Sequence, residues 1–181
     1  MKLVFAIGLF SGLLLAGDSH AWMDRDGTLL PNAEYRKNIG AFSAWLLLVD
    51  DEEEFFRRWE TLVPVANIET ADRIERGRFI TAFVIFGGCA KDSVGRCDVA
   101  VDFRIKNPDG TDYGFIPNQR AWDNYSGPEP GILVLSQAYL KIRIEPDEFL
   151  GEYSVEATLR DVNADRSILL GSAFVAYDPM Q

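Results

Sequence analysis

Only two cysteines occur in the 181 residues, Cys89 and Cys97, and they stand at the shoulders of a short polar stretch, Ala90 to Arg96. On either side the chain reads as a strand. Phe79 to Phe86 is apolar at nearly every position, as expected of a strand covered on both faces, whereas Cys97 to Lys106 alternates. In the second run Cys97, Val99, Val101, Phe103 and Ile105 share one face, with Asp98, Ala100, Asp102, Arg104 and Lys106 on the other. The stretch from Arg78 to Gly114 is therefore expected to form a crosslinked hairpin, followed by a turn at Asn107-Pro108-Asp109-Gly110. Two thiols without a neighbouring histidine supply half a zinc site, and their spacing is not that of a redox CxxC motif, so a structural disulfide is expected.

An oxidised pair requires an oxidising compartment, and the N-terminus supplies the reason to expect one. Met1-Lys2 is followed by the apolar run Leu3 to Gly17, and Ser19-His20-Ala21 places small residues at the −3 and −1 positions of a cleavage site. This is the pattern of a secretory signal peptide over residues 1–21, with cleavage between Ala21 and Trp22. The apolar core is too short for a stable span, so no membrane span is expected in the mature chain. Asp18 stands where a lipoprotein signal needs cysteine, so the expected location is the soluble periplasm.

Cleavage would remove His20, which is the one histidine. With both cysteines oxidised, Ser-His-Asp and Cys-His mechanisms have no residues to use, and no metal or other cofactor is expected. The net charge is −10, and losing Lys2 and Asp18 together leaves it there. Such a surface repels nucleic acid and anionic lipid, and suits either simple solubility or a cationic partner.

Residues 22–181 are enough for a single domain. Ala41 to Val49 reads as a first strand, and residues 51–62 as one short helix. Asp51 is placed to cap it, with Glu54 closing a capping box and Glu53–Arg57 and Glu54–Arg58 as ion pairs four apart. Phe55, Trp59 and Leu62 form its apolar face, which is expected to pack on the parent sheet, and Pro64 ends it. Pro64 to Arg76 is a polar connection with room for a short edge strand. From Ile132 onward alternating runs at Ala138–Ile144 and Tyr153–Leu159 and a last, mostly apolar run at Ile168–Tyr177 are separated by turns, and the whole predicts a mainly β, antiparallel Ig-like β-sandwich with one appended helix.

Pro117 to Gly131 is expected to be an irregular loop because of its three prolines, two glycines and two asparagines. It nevertheless carries Trp122 and Tyr125 together with Arg120, Asp123 and Asn124, and these five form the candidate binding loop. Its rings either plug the end of the sandwich or stand out as a platform for a sugar or a protein. Asp109 and Asp112 invite a calcium reading, but the EF-hand spacing is missing and Pro-Asp-Gly is a common turn. Glu145, Asp147, Glu148 and Glu152 form an acidic corner that could include a glycosidase-like pair, although turn carboxylates of this kind are usually solvated.

Leu150-Gly151-Glu152-Tyr153-Ser154-Val155, followed by closing strands, resembles the tyrosine corner of immunoglobulin-like sandwiches, with Val155 where antibody-type domains carry a core cysteine. Phe86-Gly87-Gly88-Cys89, Gly95-Arg96-Cys97-Asp98, the Asn-Pro-Asp-Gly-Thr-Asp-Tyr run and the segment Leu135 to Tyr153 resemble small exported proteins of unknown function from Gram-negative bacteria, over about residues 40 to 177. That resemblance implies an exported immunoglobulin-like fold and assigns no activity. The leading expectation is a non-catalytic periplasmic binding module for a cationic protein or cell-envelope glycan. An acidic neutraliser of a cationic toxin or enzyme is the alternative, and a carboxylate-dependent cell-wall glycan enzyme is the second.

Overall fold

A computed structural model of the chain describes residue 22 and residues 30–61 and 68–179. The expected signal peptide, Leu62 and Pro64 lie outside the described residues.

Two sheets enclose the main core. The first contains β1 (Arg36–Ile39), β2 (Phe42–Val49), β4 (Phe79–Gly87), β7 (Val134–Leu135) and β8 (Leu140–Arg143), with β7 and β8 both pairing to β4. The second runs in the order β3 (Arg73–Glu75), β10 (Arg166–Tyr177), β9 (Gly151–Asp161), β5 (Arg96–Lys106), β6 (Asp112–Ser126). All pairs are antiparallel except β3, which lies parallel to the end of β10 through Val175↔Arg73 to Tyr177↔Glu75. The expectation of a wholly antiparallel arrangement is corrected there. After the helix the chain passes from the first sheet to the second, and a crossover of this kind allows a parallel neighbour that a tight turn does not.

The patterns of apolar residues explain the two sheets. In β2, Phe42, Ala44, Leu46 and Leu48 face the inter-sheet core, while Leu47 and Val49 face the opposite way. In β4 the same division separates Ile80, Ala82, Val84 and Phe86 from Phe83 and Ile85. Helix α1 (Glu52–Glu60) covers that second face, with Phe55 stacked on Phe83 at 4.0 Å between ring centroids and Phe56 edge-on to it at 5.3 Å. A strand enclosed by a sheet on one side and a helix on the other has no solvated face, which is why these runs do not alternate. β5, β9 and β10 do alternate because their outer face meets water.

The helix begins as expected, with Asp51 accepting from the Glu54 N–H at 2.9 Å. Glu54 does not reach back to close a box. Its carboxylate takes the Arg57 guanidinium through two bonds of 2.7 and 2.6 Å and Arg58 through one of 2.5 Å, so the Glu54–Arg58 pair forms and Arg57 chooses Glu54 over Glu53. Glu52 anchors the first turn to the sheet through Thr81 Oγ1 at 3.1 Å and Lys141 Nζ at 2.8 Å.

The expected hairpin between Phe79 and Lys106 is not one. β4 belongs to the first sheet and β5 to the second, so residues 88–95 form a crossover between sheets. A β4 buried on both faces must join the sheet that has the helix, whereas the half-exposed β5 must join the sheet with a wet face. Gly88 turns the chain at φ +68°, and a Cβ there would lie 1.9 Å from the Ala41 carbonyl oxygen. The Cys89–Cys97 disulfide forms as expected, with Cα atoms 6.0 Å apart, and clamps this crossover. The true hairpins are β1–β2, where Ile39 stands opposite Phe42, β5–β6, closed by the Gly110 N–H bond to the Asn107 carbonyl at 2.9 Å, and β9–β10.

Candidate functional site

The segment expected to be an irregular loop continues β6 as far as Ser126. β6 is an edge strand, where Pro117 need not donate to a neighbour and extra residues can be absorbed as bulges. The register to β5 shifts on both sides of Trp122, and Asn118 and Asn124 adopt φ of 54° and 56°. This is why a sequence rich in turn residues remains a strand.

The bulges set where each candidate side chain goes. Ala121 is fully buried, and its carbonyl accepts from the Gln137 N–H, in the connection between β7 and β8, at 2.9 Å. Trp122 is half-buried against the core, edge-on to Phe86 at 6.1 Å, with its indole N–H donating to the Ser126 carbonyl at 3.2 Å. It thus leans inward. Tyr125 is 57% exposed and meets the Trp122 ring edge-on at 6.2 Å. Arg120 and Asp123 are ion-paired beside it, and Asn124 is exposed. Tyr125 sits opposite Cys97 in the ladder, and a Cβ on Gly127 would come within 2.6 Å of the Cys97 sulfur. The disulfide therefore backs this strand end directly.

In the acidic corner the carboxylates of Glu145 and Glu148 are occupied by structural bonds. Glu148 Oε2 accepts from the Glu145 N–H at 2.6 Å and from the Tyr113 hydroxyl at 3.1 Å, while Glu145 pairs with Arg143 at 2.5 Å. Burial and then the Glu148 carboxylate push the Tyr113 hydroxyl up to about 12. In the Asn107 turn, Asp109 accepts from the Thr111 N–H at 2.9 Å and from its hydroxyl at 2.6 Å, and Asp112 pairs with Arg104 at 2.8 Å. Among the described residues no group of three or more His, Cys, Asp or Glu could hold a metal ion.

Two concavities were not expected from sequence. A slot of about 350 Å³ opens between the edges of β6 and β8, with Ile105, Ile116, Leu140 and Ile142 among its walls. A groove of about 540 Å³ runs along the outer face of β9 and β10, beside residues 34–37. The one sequence signal for the groove is Gly171, inside an otherwise regular strand.

No protein-family model matches the chain, and no curated protein matches its sequence. Among solved structures, a family 123 glycoside hydrolase from Clostridium perfringens, described for glycolipid glycan hydrolysis, aligns with a TM-score of 0.39 and 9% identity. The alignment covers 75% of this chain and 27% of that one.

Proposed function

We propose that the protein is an exported, non-catalytic binding module of the periplasm, an immunoglobulin-like sandwich that presents the strand end Arg120 to Tyr125 as its contact surface. The observation that carries this reading is Tyr125, a ring 57% exposed on a strand braced by a disulfide. An exposed aromatic held in place loses little freedom on binding, and tyrosine offers both a flat apolar face and a hydroxyl. The Tyr153 hydroxyl, which donates to the Phe149 carbonyl four residues upstream at 2.8 Å, supports the immunoglobulin-like assignment because it is the bond of a tyrosine corner. Trp22, the residue after the expected cleavage point, is buried edge-on to Trp45 at 5.8 Å, which supports a mature chain that begins with a packed residue.

Capture from periplasmic extract by purified wild-type and Tyr125→Ala protein tests the surface. Tyr125→Ala is expected to retain less than about a tenth of the captured partner at unchanged melting temperature. Equal capture by both proteins would retire Tyr125 as a contact. Trp122→Ala is expected to lose about 2 kcal/mol in chemical denaturation, below the cost of a fully buried tryptophan because the ring is only half covered. A second reading, the neutraliser of a cationic protein, is favoured by the net charge of −10, and it predicts that the partner is released by a high-salt wash.

A further inference from the structure

Among the described residues, four connections meet at one end of the sandwich, β1–β2, β4–β5, β6–β7 and β9–β10, and each presents one large aliphatic side chain to solvent. Ile39 is 48% exposed at the first, Val94 67% at the second, Ile132 54% at the third and Val162 52% at the fourth. Val94 and Ile132 lie in turns closed by the Gly95 N–H on the Asp92 carbonyl and the Ile132 N–H on the Glu129 carbonyl, both at 3.0 Å, and Val162 opens a short 3₁₀ helix. Turns ordinarily carry glycine, proline, asparagine, aspartate or serine. One exposed aliphatic needs no explanation, but one at each of these four connections does.

The four connections are tied to one another. Arg166 donates to the Gly88 carbonyl at 2.9 Å and the Ile39 carbonyl at 3.4 Å, Asn163 to the Ala90 and Arg96 carbonyls, and the Gly127 N–H to the Gly95 carbonyl at 3.0 Å. The tips are thus held before anything binds, and docking has little chain left to order.

Charge divides the molecule lengthwise. In residues 39–41, 88–96, 127–133 and 161–166 three cations meet four acids, and Lys91 pairs with Glu129, Arg96 with Asp92 and Arg166 with Asp161, which leaves Asp165 as the acid in excess. At the opposite end, residues 50–54 and 145–152 hold nine acids and no base, in a chain whose net charge is −10. The apolar end is therefore also the near-neutral one.

We propose that this end docks on the surface of a lipid bilayer, the four aliphatic tips entering the interface while the acidic end points away from the headgroup phosphates. A protein partner is usually anchored by aromatic or arginine side chains around a continuous dry core, and valine is under-represented among such anchors. Here single aliphatics stand between small or polar neighbours, Ser93 and Gly95 about Val94 and Asn163 beside Val162. Such tips suit a layer that offers acyl chains to the apolar residue and hydrated headgroups to its flanks. Tyr125, near the same end of β6, matches the tyrosines found at headgroup level. The docking goes beyond the Arg120–Tyr125 contact and does not rest on it.

Flotation of the mature chain, residues 22–181, with phosphatidylcholine vesicles tests this, since that span holds every described strand and the helix and excludes the apolar leader. Val94→Ser with Ile132→Ser and Val162→Ser is expected to reduce vesicle binding by about tenfold or more. Phe149→Ser removes an exposed ring at the acidic end and is expected to leave binding within about twofold. High salt is expected to leave the wild type bound, because the attraction is apolar. Absence of wild-type flotation, or equal loss in the triple variant and Phe149→Ser, overturns the docking. A wild-type dimer that sediments as a monomer in the triple variant, without vesicle binding, also overturns it and assigns the end to a second copy of the chain. Should the triple variant fail to fold, hydrogen exchange on the wild type decides: vesicles are expected to protect residues 91–95 and 162–165 and not 107–111, and uniform or absent protection overturns the assignment.

Discussion

Asp161 has no exposed surface, yet it carries a carboxylate that holds three parts of the molecule together. Its Oδ2 accepts from the Ala90 N–H at 2.8 Å in the crossover and from the Arg166 guanidinium at 3.0 and 2.8 Å, and Arg166 donates onward to the Gly88 carbonyl at 2.9 Å. Asn163 adds bonds to the Ala90 and Arg96 carbonyls at 2.9 and 3.0 Å. Removing one partner of a buried ion pair leaves the other charge uncompensated, so Asp161→Ala is expected to lose about 3 kcal/mol in chemical denaturation. The lower end of the range applies because Arg166 retains some access to water. Nothing in the sequence singled out this residue, since Asp161 falls in a stretch of turn-forming polar residues where a solvated carboxylate is the ordinary outcome. Tyr125 and Trp122 show the converse. Their residue types marked them as binding candidates, but which ring stands out depends on bulges that no local pattern displays.

At the level of the element, the disulfide clamps a passage between sheets. It closes a loop of eight residues, and on the chain-entropy model its reduction is expected to lose roughly 2–3 kcal/mol, or about 4–12 °C in melting temperature. Calorimetry with and without reductant measures this, and the protein purified without reductant should show no free thiol. Had the expected β4–β5 hairpin existed, its ladder would also hold the two strands together. Here no ladder joins them, so reduction is expected to loosen residues 88–95 in hydrogen exchange first. The helix shows how far local rules reach, because the Asp51 cap and the apolar face of α1 were legible from spacing alone. Its choice of Arg57 as a partner for Glu54 was not, since both registers satisfy the same spacing rule.

Over the whole molecule, ionisable groups set the pH range in which the fold is stable. Asp92, held low by the Arg96 N–H, and Asp109, held low by the Thr111 hydroxyl and N–H, favour their charged forms when folded. Asp102 is raised by burial, but its bonds to Arg160 and the Asn118 N–H outweigh that and hold it low as well. A depressed carboxylate contributes stability above its unfolded value, about 4, and loses it as pH falls through the folded value. Tyr113 acts at the other end: its contribution is complete below about pH 10 and is lost as pH rises through about 12. Melting temperature is therefore expected to be flat across neutral pH and to fall on both sides, with absorbance titration placing Tyr113 above the ordinary tyrosine range. The sequence by itself determined the mainly β class, the helix, the β5–β6 and β9–β10 turns and the disulfide, because each rests on periodicity, capping or the lack of any other thiol. Only the tertiary structure decided that β4 and β5 lie in different sheets and that β3 runs parallel to β10. Those arrangements join residues far apart in the chain, and strand pairing between them is chosen by which faces must be covered rather than by any local pattern.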